Sequence, residues 1–330
     1  LACAKHWVGD GGTTNGINQG ETTLTKDALK SIHMAPFQGA IKAGVLTIMA
    51  SFNSWNGDKC HGHRQLITDT LKQEMQFQGF VISDWDGIDY LSEDYHSAVA
   101  LAVNAGIDMF MISENWREFI AHLKRHVKRG SVSMKRIDDA TRRILRVKFA
   151  FGMFEKPRPA DRPWSNHKSF GGTQHRAVAR EAVRKSLVLL KNDDQLLPLD
   201  RNSRILVAGK NAHNRGHQCG GFSLTWQGTS GNDHVEGATS VWEGIKKVAP
   251  NATLSIQGEC ADADKHDVAI VVIGETSYSE GLGDIRDSDH VIVEAGSQIK
   301  GSMNVLEPYG NTLELARLHP EDLLSIKNIT

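Results

Sequence analysis

GFVISDWDGID, at residues 79–89, is the stretch that decides the fold of this chain. Its apolar run 80–82 lies close to two glycines and predicts a short buried strand rather than a helix. The strand ends in Asp84 and Trp85, which place a carboxylate beside a flat indole, and this pairing suits sugar chemistry. The alternative interpretation is that Asp84 caps the next helix, since Asp is a preferred N-cap residue.

Strand and helix patterns alternate on both sides of this stretch, through residues 1–154. The predicted strands cover residues 2–7, 45–51, 80–85 and 106–112. The predicted helices cover residues 26–43, 63–77, 94–105, 115–129 and 133–150. This order is typical of parallel β/α architecture. Because a (β/α)8 barrel needs about 250 residues, the segment predicts the C-terminal half of a TIM-like barrel.

Several functional side chains stand where the predicted strands end. Lys5 and His6 close the first strand, Phe52 follows the second, and Asp84 follows the third. In parallel barrels the reactive residues sit at the C-terminal ends of the strands. This placement favours a catalytic Asp84 over a helix cap.

A second domain is predicted beyond a linker. Residues 155–174 are rich in proline and poor in aliphatic side chains, which is typical of a linker. Residues 175–330 then alternate again, and we expect an α/β sandwich that is incomplete, like the barrel. Its predicted elements are helices at 175–192 and 240–249, strands at 204–211, 253–258 and 267–275, and a last helix in HPEDLLSIKNIT. Residues 285–310 follow neither period and predict a surface insertion.

Composition argues against several classes of function. The net charge of -1 gives no sign of nucleic-acid binding, and no apolar run approaches the roughly 18 residues of a membrane span. The four cysteines are scattered and predict free thiols. The run CHGH at 60–63 lacks a second pair of metal ligands. The chain starts without Met or a signal peptide, which we interpret as an internal piece of a longer protein.

Cleavage of a glycosidic bond needs two carboxyl groups, one as acid and the other as nucleophile or base. Asp84 is the first candidate. The loop VVIGETSYSEGLGD at 271–284 offers the second, because Glu275 and Glu280 follow a hydrophobic strand and precede glycines.

Several motifs together resemble glycoside hydrolase family 3, in particular its β-glucosidase and exo-1,3-1,4-β-glucanase branch. Besides GFVISDWDGID they are AKHWVGDGGTTNGINQGET at 4–22, ASFNSWNG at 50–57, HQCGGFSLTWQG at 217–228 and GETSYSEGLGD at 274–284. The resemblance spans nearly all of residues 1–284. It implies a retaining, exo-acting enzyme that releases glucose from β-glucans, without metal or organic cofactor, in a secreted or periplasmic parent protein.

The resemblance also implies roles for single residues. Asp84 stands at the position of the nucleophile and Trp85 at that of an indole packing on the sugar. Lys5 and His6 stand where the family binds hydroxyls of the first sugar, which suits their hydrogen-bonding groups. Simple pairing of these two with acids is the alternative.

Three further positions carry over from the family. Trp226 corresponds to an aromatic residue that clamps the next sugar, with a core residue as the alternative. Glu280, rather than Glu275, aligns with the general acid/base, with a solvated loop acid as the alternative. Phe52 stands where some relatives have Tyr, so a hydroxyl near the nucleophile is missing.

Three other functions compete with a β-glucosidase. Val8 and Asp10 stand where the β-N-acetylglucosaminidase branch has Pro and His, which favours a glucosidase, while a β-xylosidase is a further alternative. A non-catalytic carbohydrate-binding or inactive fragment is the alternative from another class. Half a barrel exposes strand edges, so residues 1–330 expressed alone are expected to be insoluble or inactive.

Overall fold

The computed structural model describes residues 1–260, 263–280 and 312–330. The chain divides into two units: Leu1–Phe154 with Glu280–Thr312, and Glu155–Ser279 with Leu313–Thr330. Both are built of α-helices and β-strands, as the alternating pattern predicts. The predicted insertion at 285–310 lies outside the described residues.

The strands of the first unit are short. They are β1 (Cys3–Trp7), β2 (Glu21–Thr22), β3 (Thr47–Ala50), β4 (Ser54–Trp55), β5 (Asp58–Lys59) and β6 (Phe80–Ile82). β1, β3 and β6 form a parallel sheet in that order, with Thr47 paired to Cys3 on one side and to Phe80 on the other. β2, β4 and β5 form a second, mixed sheet. The first three predicted strands are therefore confirmed, each somewhat shorter than predicted.

The fourth predicted strand, over 106–112, is wrong as a regular strand. It is reduced to a single parallel bridge between Ile82 and Met109. Asp108 supplies the physical reason, because its Oδ2 accepts the N–H of Val81 at 2.9 Å. A side-chain oxygen thus takes the place of the backbone carbonyl that a regular ladder would offer.

A buried ion cluster joins this segment to two helices. Lys72, in the helix Gln65–Glu74, places its Nζ 2.8 Å from Oδ1 of Asp108. Arg136, in the helix Met134–Ala150, bonds the same oxygen. Burial lowers the pKa of Lys72 to about 8, although the charge of Asp108 acts in the opposite direction. The cluster therefore fixes the end of the sheet against its covering helices.

The helices of the first unit follow the predicted ones closely. They are Lys26–Ala28, Leu29–Met34 and Ala35–Lys42 in direct succession, then Gln65–Glu74, Tyr95–Ala105, Trp116–Arg129 and Met134–Ala150. Short 3₁₀ turns lie at Asp10–Gly12, Thr14–Gly16, Cys60–Gly62 and Gly87–Leu91. Local chemistry sets the limits of the helix Tyr95–Ala105: Asp94 caps its start and Gly106, at φ 118°, ends it.

The core of the first unit packs sheet residues against helix residues. Trp7, Ile48, Phe77 and Val81 are all 0% exposed. Nε1 of Trp7 donates to the carbonyl oxygen of Leu66 at 3.2 Å, so the buried indole keeps a hydrogen bond. This core holds the carboxyl ends of β1, β3 and β6 in fixed positions.

The second unit contains the parallel strands β7 (Ile205–Ala208), β8 (Thr253–Ser255) and β9 (Val268–Val271), in the order β8-β7-β9. Its helices are Thr173–Ser186, Arg215–Cys219, Val241–Val248, Leu315–Leu318 and Pro320–Ile329, with 3₁₀ turns at Pro159–Asp161 and Ala263–Lys265. The helix predicted over 175–192 ends at Ser186, since the apolar run that follows is equally compatible with extended backbone. Among the described residues, every helix is too short or too polar to span a bilayer.

Candidate active site

Asp84 follows β6 at the carboxyl end of the parallel sheet. His6, in β1, points to the same place, with its Nε2 3.5 Å from Oδ2 of Asp84. The side chain of Asp84 is 16% exposed and that of His6 is 30% exposed, so solvent and ligands can reach both. Lys5 is exposed beside them, and the Lys5–His6 peptide bond is cis.

The backbone around Asp84 is held by hydrogen bonds rather than by a helix. The N–H of Asp84 donates to Nε2 of His61 at 2.9 Å. The N–H of Trp85 donates to Oδ1 of Asp84 at 2.7 Å. The next turn, Gly87–Leu91, has Asp86 and not Asp84 at its N-cap position. The helix-cap interpretation of Asp84 is therefore wrong.

The environment of Asp84 raises the pKa of its carboxyl group. Burial is the largest cause, and the Trp85 N–H and the charges of His6 and Lys5 act in the opposite direction. The negative charge of Glu280, which groups with the first unit, adds to the rise. Asp84 is thus a carboxylate that is poorly hydrated and placed next to cationic groups.

Asp10 is a member of this site that the sequence analysis did not identify. Its Oδ2 lies 3.0 Å from Nδ1 of His6, on the ring edge opposite Asp84. Burial acts to raise the pKa of Asp10, but the hydrogen bond and charge of His6 outweigh it and lower the pKa. The available signal was the spacing of four residues after His6, just beyond the strand. Asp10 orients the imidazole towards Asp84.

Two of the predicted aromatic residues lie next to Asp84 in sequence or contact His61. Trp85 is 46% exposed and offers an indole at the surface next to Asp84. Phe52 follows β3, and its ring centroid lies 5.6 Å from that of His61 and 5.9 Å from that of Tyr90. The structure therefore collects the predicted residues of the first unit at one edge of the sheet.

Asp86 has a structural role. It is buried, and its carboxylate accepts hydrogen bonds from the N–H and the hydroxyl of Ser113. Its own N–H donates to the carbonyl oxygen of Met111 at 2.9 Å. These contacts tie the turn after β6 to the neighbouring segment.

The run at 60–63 points in three directions. Sγ of Cys60 faces the carbonyl oxygen of Val8, the ring of His61 faces Asp84, and the ring of His63 packs on Trp55. Over residues 1–260, 263–280 and 312–330, no group of three His, Cys, Asp or Glu side chains is arranged to hold a metal ion.

The second unit positions its candidate residues by backbone and side-chain bonds. Ser279 is buried, and its hydroxyl donates to the carbonyl oxygen of Trp226 at 2.6 Å. Trp226 is only half-buried, so the core interpretation does not hold for it. Glu275 is exposed and accepts the hydroxyl of Tyr278 at 3.1 Å. Glu280, the next residue after Ser279, groups with the first unit and is exposed, with φ at 52°.

Comparison with known proteins gives a consistent result. Residues 1–147 match the glycosyl hydrolase family 3 N-terminal domain, and residues 187–307 match the C-terminal domain of the same family. The fold matches that of a mutant exo-1,3/1,4-beta-glucanase from a Pseudoalteromonas species, with a TM-score of 0.80 and 46% identity, over 86% of this chain and 46% of that one.

Two relatives illustrate the match by sequence. A beta-xylosidase from Formosa agariphila is 32% identical over 96% of this chain and 44% of its own length. A periplasmic beta-glucosidase from Salmonella typhimurium is 28% identical over 99% of this chain and 46% of its own length. The chain thus spans less than half the length of these proteins. With both of its domains matched, the chain belongs to glycosyl hydrolase family 3.

Proposed function

We propose that the whole protein is a retaining, exo-acting β-glycoside hydrolase that releases glucose from the non-reducing end of β-glucans and β-gluco-oligosaccharides. The observation that carries this proposal is the group formed by Asp84, His6 and Trp85 at one end of the parallel sheet. A largely buried carboxylate lies 3.5 Å from an imidazole and directly precedes an exposed indole. The similarity to a glucanase, a glucosidase and a xylosidase supports the same reaction class.

The mechanism has two steps. In the first, a carboxylate oxygen of Asp84 attacks the anomeric carbon while Glu280 gives its proton to the departing glycosidic oxygen. In the second, water gives a proton to Glu280 and its oxygen attacks the anomeric carbon, which frees Asp84. Two inversions leave the β configuration unchanged. The reaction uses only two carboxyl groups and water.

The remaining site residues bind the sugar. Lys5 and His6 donate to hydroxyls of the first sugar, and Asp10 keeps the imidazole of His6 in place for this task. Trp85 and Trp226 stack on sugar faces, and Phe52 lines the site with an apolar ring.

The same proposal includes the domain organisation, the binding partner and the location of the protein. Residues 1–154 form the second half of a TIM-like barrel, residues 155–174 a linker, and residues 175–330 a sandwich domain, from which Glu280 departs to group with the first unit. The partner is a β-linked glucan or oligosaccharide. A secreted or periplasmic location is supported by the name of the Salmonella relative.

A β-xylosidase is the second candidate, because the Formosa relative carries that name. The two substrates differ by the hydroxymethyl group on C5 of glucose. We expect a higher kcat/KM for an aryl β-glucoside than for the matching aryl β-xyloside. The reverse ratio would assign the enzyme to xylosides.

Substitution of the nucleophile tests the main proposal. Asp84→Ala in the whole protein removes the attacking oxygen, so glucose release from a β-gluco-oligosaccharide should fall by about 10³-fold or more. Asp138→Ala changes an exposed acid on an outer helix and should leave turnover unchanged. Wild-type turnover in the Asp84 variant would sink the assignment.

Chemical rescue tests the acid/base. Glu280→Ala should slow hydrolysis of unactivated glucosides by about 10²–10⁴-fold, the usual contribution of general acid catalysis. Azide should restore turnover of an aryl glucoside with a good leaving group and give β-glucosyl azide. Glu275→Ala is the matched comparison, and rescue of that variant instead would move the role to Glu275.

A further inference from the structure

His61 lies outside the surface that a sugar would touch, yet it holds the backbone of Asp84. The residue is 0% exposed, and its Nε2 accepts the N–H of Asp84 at 2.9 Å. We propose that His61 is a positioning residue, which anchors the peptide N–H of Asp84 and so aims the attacking carboxylate. This inference rests on the proposed role of Asp84 as nucleophile.

The contact works only with a neutral imidazole. An N–H donor must meet an unprotonated nitrogen, so the ring carries its proton on Nδ1. Burial lowers the pKa of His61 to about 3, a hydrogen bond with the backbone of Ser51 acts in the opposite direction, and the positive charges of Lys59 and His6 lower it further. Nε2 therefore stays an acceptor throughout the range in which the Asp84 carboxyl is ionised.

Packing leaves the ring little freedom to move. Phe52 contacts it, at 5.6 Å between ring centroids. Gly87 approaches it closely, and a Cβ on that residue would lie 2.5 Å from Nε2 of His61. The absence of a side chain at Gly87 is thus a condition for the ring to reach the N–H of Asp84.

The hydrogen bond to His61 affects the carboxylate because the side chain of Asp84 is attached to the same residue whose backbone N–H is held. The N–H of Trp85 holds Oδ1 of Asp84 at 2.7 Å, which leaves Oδ2 on the side of His6. With the peptide N–H fixed by His61, both ends of Asp84 are fixed. Misplacement of a reacting group by about 1 Å can cost about 10²-fold in rate.

The test measures formation of the glycosyl-enzyme directly, in the whole protein. A 2-deoxy-2-fluoro-β-glucosyl fluoride traps the intermediate, and mass spectrometry locates the label on Asp84. His61→Phe keeps an aromatic ring but removes the acceptor, so labelling should slow by about 10²-fold. The inhibition constant of glucose should change little, because His61 is buried away from the ligand.

Two further variants separate positioning from simple packing. His61→Gln offers an amide oxygen near the place of Nε2 and should restore labelling to within about tenfold of the wild-type rate, since it replaces the lost acceptor. His63→Phe makes the same exchange two residues away, on a ring that packs on Trp55, and should label at the wild-type rate. If His61→Phe fails to fold, His61→Met, which also lacks a strong acceptor, replaces it with the same expectation.

The outcomes are distinct. If Asp84 is labelled in His61→Phe or His61→Met as fast as in the wild type, the positioning role of His61 is contradicted, while the proposed role of Asp84 as nucleophile stands. Equal losses of labelling in the Phe and Gln variants contradict it too, because packing would then explain both. Absence of any label on Asp84 in the wild type overturns the proposed function itself.

Discussion

The position of Asp84 suits catalysis but lowers the stability of the folded protein at neutral pH. Its carboxyl group is mostly withdrawn from water, and burial raises its pKa above the ordinary value of 3.8. The neighbouring cations and the Trp85 N–H offset this only in part. An ionised carboxylate at neutral pH is therefore less favourable in the folded chain than in the unfolded one.

Asp84→Asn should consequently raise the free energy of unfolding at about pH 7 while abolishing turnover. The sign follows from the higher pKa of the folded state: ionisation costs stability above that pKa, and a neutral amide avoids the cost. The gain should shrink towards about pH 4 and below, where the wild-type carboxyl takes up its proton. Urea denaturation at both pH values measures it.

Asp138→Asn provides the control for this comparison. It makes the same chemical change on an exposed helix residue and should leave the unfolding free energy within about 0.5 kcal/mol of wild type. If Asp84→Asn instead lowers the free energy of unfolding at neutral pH, the prediction is contradicted. The ionised carboxylate would then be stabilised by its neighbours in the folded protein.

Among the elements, the segment after β6 depends on charge more than on strand pairing. Asp108 accepts the N–H of Val81, bonds Lys72 at 2.8 Å and also bonds Arg136. Its side chain is 0% exposed. One carboxylate thus takes over part of the ladder and joins two helices to the sheet.

Asp108→Ala should lower the free energy of unfolding by about 3–5 kcal/mol, because Lys72 and Arg136 lose the buried carboxylate that they share and keep only the partly exposed Asp139 as a partner. Chemical denaturation followed by circular dichroism measures the change. Asp138→Ala removes an exposed carboxylate from the helix that carries Arg136 and should cost little. A loss below about 1 kcal/mol in Asp108→Ala would mean that the cluster contributes little to stability.

At the scale of the whole chain, one apolar run is exposed to water. Residues 187–190 follow the helix Thr173–Ser186, and their side chains are 66–91% exposed. Contiguous apolar surface of this kind favours association in water.

Residues 1–330 expressed alone should therefore bind the dye ANS, associate in sedimentation experiments and release no glucose. Replacement of Val188 and Leu190 by Lys should raise the soluble fraction, because both side chains are among the most exposed of the run. A soluble, monomeric and glucose-releasing protein of these residues would contradict the expectation.

The local sequence pattern was enough to predict many elements of this protein. The strand before Asp84, the helices of the first unit and the strand-end positions of His6 and Phe52 all follow from periodicity and turn residues, which act over a few neighbours. The family motifs belong to the same level, since each is a short contiguous stretch. Where the apolar run at 187–190 fits both helix and strand, pattern alone did not decide.

Tertiary structure decided which distant groups meet. His61 lies 23 residues before Asp84 in sequence, yet it accepts the N–H of Asp84. Asp108 lies 36 residues after Lys72, yet the two are paired. Asp10 contacts His6 because the end of β1 and the turn that follows bring the two side chains together. Hydrogen bonds and ion pairs depend on the distance between two groups in space. Local periodicity carries no information about that distance. The sequence therefore indicated these contacts less clearly than it indicated the strand before Asp84.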